Sequence, residues 1–218
     1  MPTNDFLSPY GVPKVNSSTG AALAASVATM TALKALASGG PARVHGNEVL
    51  VDADGSRWIY SATSALTGDD LFVATPADAP AAGRWLRAPG VVDLKMPFAF
   101  GTADAAVLAT LPTGARLLVR RGYWEVTADF TGGSSSAIGL SASTTGATTK
   151  GDLHGGASGN VAAGLTAGTR AGTIGAQVAA GVLMIAGETV KFDRITSAFT
   201  AGSGFAHLVV ELLLNPGA

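Results

Sequence analysis

Trp124, Val126, Ala128 and Phe130 alternate with Tyr123, Glu125, Thr127 and Asp129. A period of two sends the first set to one face of an extended segment and the second set to the other, the mark of a half-buried strand. The chain ends on the same alternation: Ala206, Leu208, Val210, Leu212 and Leu214 oppose Phe205, His207, Val209, Glu211 and Leu213. Further apolar runs in residues 91–218, VVDLKMPFAF, AIGLSAS, VLMIA and TVKFDRI, are bounded by turn residues, and ARLLVRRGYWEVTADF reads as two strands around Gly122. Short strands, frequent turns and no helical periodicity predict a mainly β fold, with an antiparallel, jelly-roll-like β-sandwich over residues 91–218. Residues 144–181 are rich in Gly, Ala and Thr, show little periodicity, and read as long loops with one or two edge strands.

The pattern before residue 91 differs. Leu23, Val27, Met30, Leu33 and Ala37 recur three and four apart, which predicts one stripe of a helix over residues 19–38. Alanine favours this Ala-rich helix, Ser18 or Thr19 offers a cap, and Gly39-Gly40-Pro41 stops it. Residues 1–18 contain three prolines with Asn, Ser and Gly and read as an extended arm. In residues 42–88, NEVLVDADGSRWIYS predicts a hairpin turning on Asp54-Gly55, DLFVAT another strand, and PADAPAAGRWLRAPG a proline-rich return. The expected organisation is an arm and helix over 1–40, a small β module over 41–90, and the sandwich over 91–218, with a boundary near Pro89-Gly90.

One phrase occurs twice: FTGGSSSAI from Phe130 and FTAGSGFAH from Phe199. Each reads as a strand end, a turn on small residues and the start of an apolar strand, with glycine supplying the backbone angles the turn needs. Two equivalent turns at one end of a sandwich would produce the echo without any ligand.

Composition narrows the function. Charged residues are 13% of the chain, about half the ~25% of ordinary soluble domains. So low a charge points to a surface covered by copies of the chain or by a partner, with an uncharged surface solvated through Ser and Thr as the alternative. The net charge of −1, without a basic stretch, gives no electrostatic footprint for nucleic acid. The absence of cysteine excludes disulfides, thiolate zinc sites and cysteine nucleophiles. No apolar run reaches the ~20 residues that span a membrane. AALAASVATMTALKALASGG has the length and Ala-x-Ala ending of a signal peptide, but Lys34 interrupts it and the opening MPTNDFLSPY is acidic, so it is not read as one.

Candidate chemistry is sparse. Asp52 to Gly55 (DADG) has part of a calcium loop, but lacks a third ligand before the glycine and a closing glutamate, and reads as the hairpin turn. Lys150 follows a Gly/Thr stretch, but Thr149 precedes it and Gly151 follows it, which breaks the phosphate-loop pattern. None of His45, His154 and His207 is spaced for a shared metal. His207 and Glu211 stand four residues apart on one strand, ~13 Å, too far to pair. His154, near Asp152, is the one pairing that would suit a hydrolase. No Gly-x-Ser-x-Gly elbow and no glycosidase-like carboxylate pair occurs. Trp58, Trp85 and Trp124 are of the type that stacks on sugars, but Trp124 lies on an apolar face, and Trp58 and Trp85 suit a small core. No catalytic, cofactor-binding or metal-binding residue is assigned.

Positions 52–90, DADGSRWIYSATSALTGDDLFVATPADAPAAGRWLRAPG, resemble a small β module carried by tailspikes, fibres and related virion proteins of tailed bacteriophages. The shared cadence is an aromatic strand, the step Gly68-Asp69-Asp70, a short strand from Val73 to Pro76, and Gly83-Arg84-Trp85. LPTGARLLVRRGYWEVTADFTGGSSSAIGLSAS, with KGDLHGG and VKFDRITSAFTAGSGFAHLVVEL, resembles β-sandwich proteins encoded among phage structural genes. The resemblance implies a non-enzymatic virion structural protein, foremost a capsid decoration (cement) protein on the outer head surface. Its implied partners are the major capsid protein or other virion proteins and further copies of itself, by analogy a homotrimer. Its implied location is the virion, after assembly in the host cytoplasm. The alternative is a short tail-fibre or tail-tip protein recognising a host surface glycan through the 144–181 loops. The long repetitive β-helix of enzymatic tailspikes has no counterpart here, and the resemblance transfers no catalytic residue.

Overall fold

The computed structural model describes residues 25–132, 137–143, 149–155, 165, 167–168, 170–171, 181–195 and 198–214. The fold is mainly β, built from several antiparallel sheets, and the chain divides into two compact units between Ala88 and Pro89. The arm expected over residues 1–18 lies outside the described residues, as does most of 144–181.

The first unit corrects the expected helix. Ala25–Val27 is a strand, β1, and only Met30–Lys34 is helical, α1. The Thr29 hydroxyl caps α1 by accepting the Ala32 N–H at 3.2 Å. β1 runs parallel to β2 (Glu48–Val51), with Ala25 to Val27 opposite Val49 to Val51. A free strand edge beside Val27 offers a backbone ladder, and that outweighs the modest helix preference of a short Ala-rich run. Three residues of the expected stripe do face a core: Leu33 is fully buried, and Val27 and Met30, with Leu36 from outside the stripe, pack against Val49, Val51, Trp58, Tyr60, Ala74 and Trp85. Ala37 is exposed, and Leu23 lies outside the described residues. From Ala25 onward, the segment expected to stand apart thus shares the core of the small module.

The remaining strands of this unit are β3 (Ser56–Ser61), β4 (Val73–Ala74) and β5 (Arg84–Arg87), in the order β1-β2-β3-β5-β4. β2 and β3 form an antiparallel hairpin closed by Val51 opposite Ser56. At its turn Asp54 Oδ1 accepts the Ser56 N–H at 2.9 Å and Gly55 takes φ +68°. The proline-rich return therefore ends in a strand, because Trp85 and Leu86 each have a partner across β3 and β4.

The second unit contains β6 (Gly90–Ala99), β7 (Ala106–Thr110), β8 (Arg116–Thr131), β9 (Ala137–Ala142), β10 (His154–Gly155), β11 (Arg170–Ala171), β12 (Leu183–Ile185), β13 (Thr189–Ile195) and β14 (Ala201–Leu214). One sheet runs β10-β9-β13-β7; the other runs β11-β8-β14-β6, with β12 also paired to β8. Phe98 on β6 stacks on Phe192 of β13 at 5.3 Å and meets Trp124 of β8 edge-on at 5.1 Å, so one aromatic core serves both sheets.

Two expectations fail in this unit. Gly122 is not a turn: it sits inside the continuous 16-residue β8, opposite Leu208 of β14. A Cβ there would lie 2.7 Å from the His154 ring, so the glycine admits a close neighbour rather than a reversal. The small residues of the second echoed phrase are likewise not a tip. Gly202, Ser203 and Gly204 lie within β14, where its register against β8 shifts. That same irregularity leaves Ala128 exposed, although it shares a period-two face with the buried Val126 and Phe130. The tip of the first phrase, residues 133–136, lies outside the described residues.

Candidate functional site

The densest polar cluster lies on the β6-β14-β8 sheet, on the face opposite the aromatic core. Antiparallel pairing places His207 of β14 opposite Lys95 on β6 and Tyr123 on β8. The diagonal neighbours are Asp93 and Glu125, and the buried imidazole lies between them. His207 Nδ1 is 3.1 Å from both Asp93 carboxylate oxygens, and Nε2 is 3.0 Å from Glu125 Oε2. Tyr123 stacks on the ring with centroids 4.2 Å apart and planes 12° apart, and its hydroxyl donates to Asp93 at 2.6 Å. Lys95 donates to Glu125 at 3.2 Å and lies over the Phe205 ring, 4.0 Å from its centroid.

These contacts set the charge states of the acids. Burial pushes the Asp93 carboxyl up, but hydrogen bonds from His207 and Tyr123 outweigh it and hold the group below the usual carboxylate range. The hydrogen bond from Lys95 lowers Glu125, burial opposes it, and His207 adds to the lowering. A carboxylate only accepts, so both imidazole contacts are hydrogen bonds only when both ring nitrogens carry protons.

The arrangement limits the chemistry. The two carboxylates occupy opposite ring nitrogens and cannot converge with the imidazole on one ion, and no metal-holding group of three or more His, Cys, Asp or Glu exists among the described residues. A Ser-His-Asp relay needs a nucleophile at the nitrogen facing away from the acid, whereas here Glu125 holds that position. The rings of His207 and Tyr123 face each other, so each has given one face to the other rather than to a sugar.

A second cluster centres on Asp193, which is 2% exposed. Its Oδ1 accepts the Ser141 hydroxyl at 2.8 Å and its Oδ2 accepts the Gly151 N–H at 2.9 Å. Burial raises the Asp193 carboxyl, and these two donors only partly offset it. Nearby, Lys150 donates to the Arg194 carbonyl at 2.7 Å and pairs with Asp104, which also accepts the Arg194 N–H at 2.9 Å. Burial raises Asp104, but the bonds from Lys150 and Arg194 prevail and lower it. The lysine weighed as a phosphate ligand thus ties residues 149–155 to β13.

The pairing weighed for a hydrolase is not assembled. His154 is fully buried on β10, 5.2 Å from the Trp124 ring. Asp152 instead accepts the Thr149 N–H at 3.1 Å and closes a local turn. His45 accepts the Ala62 N–H at 3.3 Å, and His207 pairs across strands rather than along its own. Trp58 and Trp85 are fully buried in the first unit, and Trp124 in the second.

Sequence reasoning missed the His207 cluster although each member stood on the polar side of an alternating strand. The missing information was which strands are neighbours and in what register. No protein-family model, no curated protein and no solved structure matches the chain.

Proposed function

We propose that this chain is a non-enzymatic structural protein of a tailed-bacteriophage virion, a decoration protein bound to the outer face of the capsid. The observation that carries the reading is that residues of the cadence resembling phage virion modules hold the loops and the core of the first unit together. Asp69 Oδ1 accepts the N–H groups of Leu71, Phe72 and Val73 at 2.9, 2.7 and 2.9 Å. Arg84 donates to the carbonyls of Leu66, Pro80 and Gly83 at 2.7, 2.9 and 2.9 Å. Trp85 fills the core against Tyr60 at 5.1 Å. Residues that close the fold in this way give each part of the cadence a structural role.

Two further observations support the reading. The titratable groups that cluster in the second unit are engaged in holding strands and turns: His207 between two carboxylates, Asp193 between two donors. Val91, Val107, Leu183, Ile185 and Leu213 are each exposed on the same unit, apolar side chains that association with copies or a partner would cover. In this reading the two sheets are the layers of a jelly-roll-like antiparallel sandwich, the partner is the major capsid protein or a neighbouring virion protein, and the protein assembles as a homotrimer.

Immunogold labelling of intact particles of the encoding phage tests the proposal. Gold over the head faces is the expected result. Gold at the tail or its tip would replace decoration with host-glycan recognition by a fibre or tail-tip protein, and particles without label would overturn the virion assignment.

A further inference from the structure

The His207 cluster has the geometry of a strap. Among the described residues β6 is a terminal strand of its sheet and pairs within it with β14 alone. His207, on β14, reaches Asp93 on β6 through one ring edge and Glu125 on β8 through the other. The ring is buried and stacked on Tyr123, and these two contacts hold it between the two acids. The charged and titratable groups facing it are Asp93 and Lys95 from β6, and Tyr123 and Glu125 from β8, with Arg121 acting on Asp93.

Both carboxylates bond the ring only while both nitrogens carry protons. A neutral imidazole has one N–H, and its other nitrogen then turns a lone pair toward a carboxylate oxygen. One arm of the strap has to open. The released acid is not stranded, because Asp93 keeps the Tyr123 hydroxyl and Glu125 keeps Lys95. Two satisfied arrangements therefore exist around one fixed ring. We propose that His207 is a protonation-dependent strap that holds the edge strand β6 to β8 across β14, and that loss of one ring proton releases an arm and loosens that edge.

The test combines nitrogen-15 NMR of the histidine rings with amide hydrogen exchange on the full chain. Spectra are taken at about pH 5.5 and about pH 8.5, on either side of the range in which imidazoles titrate. The nitrogen-15 shifts report directly whether the His207 ring carries two protons or one in each sample. After correction for intrinsic exchange, amides of β6 and of Phe205 to Val209 should exchange roughly tenfold faster at the higher pH, the scale of one lost charge-assisted hydrogen bond. His207→Gln should abolish that difference. If it does not fold, Asp93→Asn and Glu125→Gln, each of which discharges one arm, should each shrink it. A ring with the same number of protons at both pH values, or exchange that does not accelerate, would overturn the proposal.

Discussion

Phe130 and Phe199 meet edge to face, with ring centroids 5.0 Å apart and planes at 73°. The residues after them pair as well: the Thr200 N–H donates to the Thr131 carbonyl at 2.8 Å, and the two threonine hydroxyls are 3.1 Å apart. The repeated Phe-Thr phrase is therefore two halves of one contact, where the end of β8 lies beside the start of β14. Its glycines are reciprocal too. A Cβ on Gly132 would lie 2.7 Å from the Thr200 side chain, and one on Gly202 would lie 2.5 Å from the Phe130 ring.

Gly202→Ala should accordingly be costly. The position has φ +124°, and its new methyl would press on the Phe130 ring, which already packs against Phe98 and Phe199. Strain and overpacking together predict a loss of about 3 kcal/mol. Gly101→Ala, in open space at an ordinary φ, should stay within about 0.5 kcal/mol of wild type. Urea unfolding followed by circular dichroism separates the two, and equal midpoints would remove the claim that the echo is a packing device.

Arg84→Lys should destabilise the first unit by about 1–3 kcal/mol. The guanidinium spans three carbonyls with two nitrogens in a fixed plane, and an ammonium on a flexible stem cannot reproduce that fork. Asp69→Ala should act in the same range, since it leaves three backbone N–H groups without their acceptor, whereas Asp69→Asn keeps a carbonyl oxygen for them and should be milder. Thermal melts of the three variants give the order; a harmless Arg84→Lys would show that the cadence is not structurally required.

The legible part of this fold was periodic. Alternation found β14 from Phe205 onward and, Ala128 excepted, the inner face of β8 from Trp124 to Phe130, and Asp-Gly found the β2-β3 hairpin, because each signal is local. The helix over 19–38 failed because the i, i+3, i+4 stripe marks whatever faces a core, and the edge of β2 then took Val27 into a strand. Gly122 failed because a glycine that admits a neighbour looks like one that turns the chain, and the neighbour, His154, is distant in sequence. His207 was judged against Glu211 on its own strand, while its partners stand on two others. Register, not residue type, decides such contacts.

Gly122→Ala tests that reading of the glycine. The added methyl would sit 2.7 Å from the His154 ring and 3.1 Å from the His207 carbonyl, between two strands that are fixed. If Gly122 were only a flexible hinge, alanine would be neutral or slightly stabilising. Close approach predicts instead a loss of about 1–3 kcal/mol and altered Trp124 fluorescence, because His154 packs on that indole.

The acids of the second unit should show opposite pH dependences. Asp93 is held below its ordinary value, so its contribution is present above the unfolded-state value of about 4 and is lost as pH falls through the depressed folded one. The stability gap between wild type and Asp93→Asn should therefore close on acidification. Glu125 and Asp104 share that sign. Asp193 is raised by burial, so its contribution is fully present below about 4 and is lost as pH rises through the raised folded value. The gap between wild type and Asp193→Asn should widen as pH falls toward that limit. Urea unfolding at a series of pH values, read through Trp124 in a background carrying Trp58→Phe and Trp85→Phe, measures both gaps. Two gaps that move in the same direction would contradict the assignment of Asp193 as a carboxyl whose charge the fold disfavours.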